Sequence, residues 1–114
     1  MLLKANGMTV EFTNSWRGNR SGFVHETRMV IDGVQEFFHK QQYYNRTWER
    51  YEYQSVMKSA CYDAIEYVTK KLTDKFRAEN SIKRLTKARK GDLEVILKNS
   101  QKLKNLENIY RQLD

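Results

Sequence analysis

Gly22-Phe23-Val24-His25-Glu26-Thr27-Arg28-Met29-Val30-Ile31-Asp32-Gly33-Val34-Gln35-Glu36-Phe37-Phe38-His39-Lys40-Gln41-Gln42-Tyr43-Tyr44 decides the fold. Two runs rich in β-branched and aromatic residues flank a single Asp-Gly pair, and a type I′ turn needs φ > 0 at both central residues. The stretch therefore reads as a β-hairpin. A two-residue turn sets opposite partners whose numbers sum to 65: Ile31 with Val34, Met29 with Glu36, Thr27 with Phe38 and Glu26 with His39. In that register Phe23, Met29, Ile31, Val34 and Phe38 form the core face. Val24, Glu26, Arg28, Gln35, Phe37, His39, Gln41 and Tyr43 form the opposite, mixed face, and His25 sides with Ile31.

Upstream, Met8, Val10 and Phe12 alternate with Thr9, Glu11 and Thr13, a period of two that predicts a third strand over 8–13. Asn14 to Gly22 is polar, aperiodic and holds two glycines, so it reads as a loop. Downstream the period changes. Met57, Cys61, Ala64 or Ile65, Val68, Leu72 and Phe76 recur at helical steps, predicting a long helix over 47–77 with Thr47 as its cap and Glu49 in its first turn. Ser81 starts a short basic helix ended by Gly91, and Asp92 caps a last helix reaching Leu113. In that last helix Ile96, Asn99, Leu103, Leu106, Tyr110 and Leu113 make an apolar stripe, expected to pack on the chain's own domain rather than on a second copy. The expectation is one α+β domain over 1–114: a three-stranded antiparallel sheet (8–44) packed on a long helix (47–77), followed by a short basic helix and an amphipathic C-terminal helix (81–113).

The chain has 114 residues, 39% hydrophobic and 31% charged, which suits one folded domain. No run of 18 apolar residues occurs, and the opening Met1-Leu2-Leu3-Lys4 is too soon interrupted for a signal peptide, so a cytoplasmic location is expected. The sequons Asn19-Arg20-Ser21 and Asn45-Arg46-Thr47 then carry no glycosylation. One cysteine, Cys61, excludes an internal disulfide and falls on the apolar stripe, where its thiol should be inert.

His25 and His39 point to opposite sheet faces in this register, which removes the geometry for a shared metal. Glu49 with Glu52, and Asp63 with Glu66, are carboxylate pairs at helical spacing, but each sits among Lys and Arg as solvated faces do. With no phosphate loop, nucleophile set or metal-ligand cluster, no catalysis, metal or cofactor is expected.

Binding remains. The net charge is +7, and residues 80–114 carry nine Lys/Arg against four acids. Lys83, Arg84, Lys87, Arg89 and Lys90 have no acid among them and can neutralise phosphates without reading sequence. A solvated basic helix has the same composition. A helix-turn-helix is disfavoured, because the last helix has a wide apolar stripe and its Lys98, Lys102 and Lys104 suit phosphates better than bases. The second candidate surface is Trp16, Arg17 and Arg20 of the polar loop, with Arg28, His39 and Arg46 on the exposed sheet face: an aromatic between guanidinium groups can stack on a base or anchor an interface. Trp16 folding back over the sheet edge is the structural alternative.

Where the last strand enters the helix, Tyr43-Tyr44-Asn45-Arg46-Thr47-Trp48-Glu49-Arg50-Tyr51 follows the Asp-Gly hairpin. Over roughly residues 8–68 the chain here resembles small accessory proteins encoded by phages and mobile elements of Gram-positive bacteria, a group that includes anti-CRISPR proteins. The resemblance implies a stoichiometric inhibitor of a nucleic-acid machine, such as a type II CRISPR nuclease with its guide RNA, acting in the host bacterial cell as a monomer or weak homodimer. Many anti-CRISPR proteins are acidic nucleic-acid mimics. This chain is basic, which points instead to guide RNA or an acidic protein surface. A plain nucleic-acid-binding accessory or regulatory protein is the alternative.

Overall fold

The computed structural model describes residues 1–19, 22–43, 50–80 and 86–114. Seven elements follow in order: β1 (Leu2–Ala5), β2 (Met8–Asn19), β3 (Gly22–Ile31), β4 (Gln35–Tyr43), α1 (Arg50–Glu79), α2 (Lys87–Asn99) and α3 (Gln101–Gln112). The strands make one antiparallel sheet in the order β1-β2-β3-β4, so neighbours in space are neighbours in sequence. The class is α+β as expected, but the sheet has four strands.

The extra strand comes from Asn6-Gly7. Both residues have left-handed φ, 47° and 85°, and they fold β1 back on β2 with Ala5 opposite Met8. The stretch expected as a loop is also strand. β2 pairs with β3 as far as Asn19 opposite Gly22, so Trp16, Arg17 and Gly18 belong to a ladder. Apolar alternation fails there because Ser15 and Arg17 point to solvent and Asn14 and Trp16 sit at the thinning end of the core row, yet the backbone pairing needs no apolar side chain.

The hairpin at Asp32-Gly33 forms, with φ of 51° and 70° and Val34 N–H donating to Ile31 C=O at 3.0 Å. Its register differs from the expected one. Ile31 lies opposite Gln35, not Val34, so partner numbers sum to 66 and Val34 is left over beside the turn. Because side chains alternate, this one-residue slip inverts all of β4. Val34 (84% exposed) and Phe38 (54%) leave the expected core face, while Phe37 and His39 turn inward. Asp32 ties the turn to β2: its N–H donates to Thr9 C=O and its Oδ1 accepts from Thr9 N–H, both at 2.8 Å.

The inner face is built from Ala5, Met8, Val10, Phe12, Met29 and Ile31, all buried, with His25 and Thr27 buried among them. α1 crosses it over β3 and β4. The helix presents Met57, Ala60, Cys61, Ala64 and Val68, and Ile65 and Leu72 pack at the margin. This is the expected stripe with Ala64 central. The small residues Ala60 and Ala64, both 0% exposed, let the helix lie close to the sheet.

α3 packs against α1 and β1 through Leu103, Leu106 and Ile109, so its apolar face is used inside the domain. Asn105 is buried at this contact and its Oδ1 accepts from Asn6 Nδ2 (3.1 Å) and Gln101 Nε2 (2.8 Å). Gln112 Nε2 donates to Lys4 C=O.

The C-terminal helices divide elsewhere than expected. Thr86 caps α2 by accepting from Arg89 N–H, and the helix runs through Gly91 instead of ending there. An interior glycine costs a helix about 1 kcal/mol, which the burial of Leu93 offsets. The break comes at Ser100, whose side chain accepts from Leu103 N–H and opens α3. Since the helix is interrupted, Ile96 and Asn99 do not continue the stripe of α3. Ile96 is 41% exposed, and Leu93 and Leu97 face inward in its place.

Candidate nucleic-acid interface

The inward and outward rows of the sheet decide where the candidate partner-binding residues stand. Trp16 lies on the inner row opposite His25 and packs edge-on against Phe23, with ring centroids 5.3 Å apart, and remains 46% exposed. Arg17, its neighbour in β2, points to the opposite face. Arg28 shares that outer face and forms an ion pair with Glu36. His39 is on the inner face with His25, contrary to the expectation that the two point apart. Arg20 and Arg46 lie outside the described residues. Trp16, Arg17, Arg28 and His39 therefore do not converge on one surface.

The outer face is also not a cationic one. Lys4, Arg17, Arg28 and Lys40 stand among Glu11, Glu26 and Glu36, a net of one positive charge, and Lys40 approaches Glu26 to 3.9 Å as Arg28 pairs with Glu36. An anionic partner meets little net field there.

His39 has a different role. Its Nδ1 lies 2.9 Å from Asp63 Oδ2 on α1, joining β4 to the helix, a pairing absent from the sequence reading because the expected register placed His39 outside. Ser55, Lys58, Ser59, Tyr62 and Tyr110 line the same polar cavity of ≈ 310 Å³. Although this combines Ser, His and Asp, the Ser59 hydroxyl donates to Ser55 C=O at 3.1 Å, the usual local bond of a helical serine. Lys58 pairs with Asp114, and that hydrogen bond raises the pKa of its ammonium and keeps it charged. Tyr62 is held protonated by the nearby charge of Glu66, which raises its pKa. Neither group is poised as a base or nucleophile. Cys61 is fully buried and its thiol, donating to Leu106 C=O at 3.4 Å, has its pKa pushed up to about 12 by burial. His25 is buried against the Tyr53 ring at 4.7 Å. Among the described residues no group of three His, Cys, Asp or Glu could hold a metal ion, and no helix is long and apolar enough to cross a membrane.

The C-terminal helices differ from the sheet. Lys83 and Arg84 lie outside the described residues, but Lys87, Arg89 and Lys90 occupy the first turns of α2 and all three are exposed. Lys98 returns to the side of Lys87, eleven residues on, and Lys90 falls beside them. Past the Ser100 break, Lys102 and Lys104 extend the cationic surface onto α3, Lys102 donating to Gln35 Oε1. Residues 86–104 carry six Lys/Arg against two acids. Arg89 is 3.9 Å from Asp92 and 3.5 Å from Asn80 Oδ1, whereas Lys87, Lys90, Lys98 and Lys104 have no ion pair among the described residues. Val95 (58% exposed) and Ile96 (41%) stand on the same helix. The cationic surface is longer than the basic segment first read from sequence, because α2 does not stop at Gly91.

Comparison with known proteins returns nothing: no family model, curated protein or solved structure matches this chain.

Proposed function

We propose that the chain is a non-enzymatic binding protein that uses α2 and the start of α3 to engage the nucleic acid of a nucleoprotein complex, acting as an anti-CRISPR-like inhibitor of the kind encoded by phages and mobile elements. The observation that carries the reading is the contrast between two charged surfaces: on the outer sheet face Arg28 and Lys40 pair with Glu36 and Glu26 and four cations stand among three glutamates, while Lys87, Lys90, Lys98 and Lys104 have no ion pair among the described residues. Unpaired cations lose nothing internal when they meet phosphate, and each releases a counterion on doing so. Exposed Val95 and Ile96 among these lysines favour a partner with protein as well as phosphate, such as an effector nuclease holding its guide RNA, over free nucleic acid alone. The anti-CRISPR assignment itself rests on the resemblance of residues 8–68.

Affinity capture from a bacterial lysate, with and without nuclease treatment, tests the proposal. The wild-type chain should retain a nucleoprotein whose capture falls after nuclease. Lys87→Glu with Lys90→Glu and Lys98→Glu should lose it, and Arg17→Glu with Arg28→Glu should keep it. Capture lost in the sheet variant but kept in the helix variant would move the site to the outer sheet face and end this reading.

A further inference from the structure

Among the described residues β4 is an edge strand of nine residues, and its outer row includes Glu36, Phe38 and Lys40, all exposed. Edge strands are usually blunted by charged side chains, proline or a bulge, but charges block pairing only where like meets like across the new ladder. Here opposite charges stand symmetrically about an aromatic that is 54% exposed. We propose that β4 is a homodimerisation edge, pairing antiparallel with β4 of a second copy about a two-fold axis through Phe38.

Register follows from charge. With Phe38 opposite itself, Glu36 of each copy faces Lys40 of the other, so the pairing gains two opposite-charge contacts, and the Phe38 rings meet at the centre. Centring the axis on Glu36 or on Lys40 sets like charges against each other. Centring it on Phe37 or His39 leaves both Glu36 and Lys40 without an opposite partner. An odd sum of partner numbers would place one copy's helix layer against the other's bare face. Only the Phe38 register satisfies both charges.

The helix layer is compatible with this arrangement. α1 rests over β3 and β4, so strands about 4.8 Å apart bring the two copies of α1 to about 10 Å, a normal packing distance. Tyr67, 41% exposed and packed edge-on against Phe37, lies on this side of the inner face. The result is a continuous eight-stranded sheet with helices on one side. It is independent of the nucleic-acid reading, since α2 takes no part in it.

Sedimentation velocity on the full chain over a range of concentrations tests the proposal. Wild type should pass from monomer to dimer. Glu36→Lys and Lys40→Glu should each weaken the dimer by roughly ten-fold or more, since each converts two attractive contacts into two repulsive ones. The double variant E36K/K40E should regain the wild-type dissociation constant. Within one chain Arg28 and Glu26 still face the wrong charges in that double variant, so rescue can come only from contacts between copies. A wild type that stays monomeric throughout, including one whose edge captures a strand of another protein instead, overturns the proposal. A dimer indifferent to the single variants, or a double variant no better than either, overturns it too.

Discussion

Phe37 and Phe38 are adjacent and chemically identical, yet the register of β4 assigns them opposite environments, so their truncation separates the two readings of the hairpin. Phe37 packs at the margin of the core, with its ring 5.5 Å from Tyr67 at a steep angle. Removing the ring forfeits the aromatic pair, about 0.5–1.5 kcal/mol, and partial apolar burial worth about 1–2 kcal/mol. Phe37→Ala should therefore lower unfolding stability by about 2–3 kcal/mol. Phe38 is 54% exposed on the outer face, and Phe38→Ala should cost no more than about 0.5 kcal/mol. For a domain of this size the first change lowers Tm by roughly 10 °C and the second by roughly 2 °C or less. Urea denaturation followed by far-UV circular dichroism, in dilute solution where self-association does not contribute, gives both values. A larger cost for Phe38→Ala than for Phe37→Ala would restore the register in which Ile31 faces Val34, and with it the inverted sheet face.

Val68 is 8% exposed at the helix–sheet contact, so Val68→Asp buries an unpaired carboxylate and should abolish cooperative unfolding, whereas Ile65→Asp, at the half-buried margin, should leave a weakened but folded chain; near-UV circular dichroism distinguishes them. Cys61 should not react with a thiol reagent at pH 8 until denaturant is added. Because its folded pKa of about 12 lies above the ordinary 9.0, only the unfolded thiol ionises as pH rises past 9, so the Cys61 contribution to stability should fall between pH 9 and 12 and vanish from the profile in Cys61→Ala.

The parts of the fold written in side-chain periodicity were legible. The helical recurrence from Met57 to Phe76 gave the buried face of α1, and the alternation of Met8, Val10 and Phe12 gave the inner row of β2. What escaped lies in the backbone. Asn6-Gly7 is as strong a hairpin signal as Asp32-Gly33, but only four residues precede it in β1, too few for a pattern. The turn at Asp32-Gly33 was recognised, and the single extra residue Val34 changed its consequence, because one residue inverts a strand while leaving its composition untouched. That inversion carried His39 inward to Asp63 and dissolved the cluster expected around Arg28. The extent of α2 is not legible either: Gly91 has the composition of a helix end, and the burial of Leu93, which sequence does not show, lies just past it in a helix that runs on to Asn99.

The salt dependence of binding to a short single-stranded RNA tests the central claim most directly. If Lys87, Lys90, Lys98 and Lys104 meet phosphates, log affinity should fall linearly with log salt concentration, and replacing all four by Gln should weaken binding and reduce the magnitude of the slope by about 3, each contact contributing roughly 0.7. A slope unchanged by the four substitutions, with affinity within two-fold of wild type, would show that the C-terminal helices are a solvated basic face and not the binding surface.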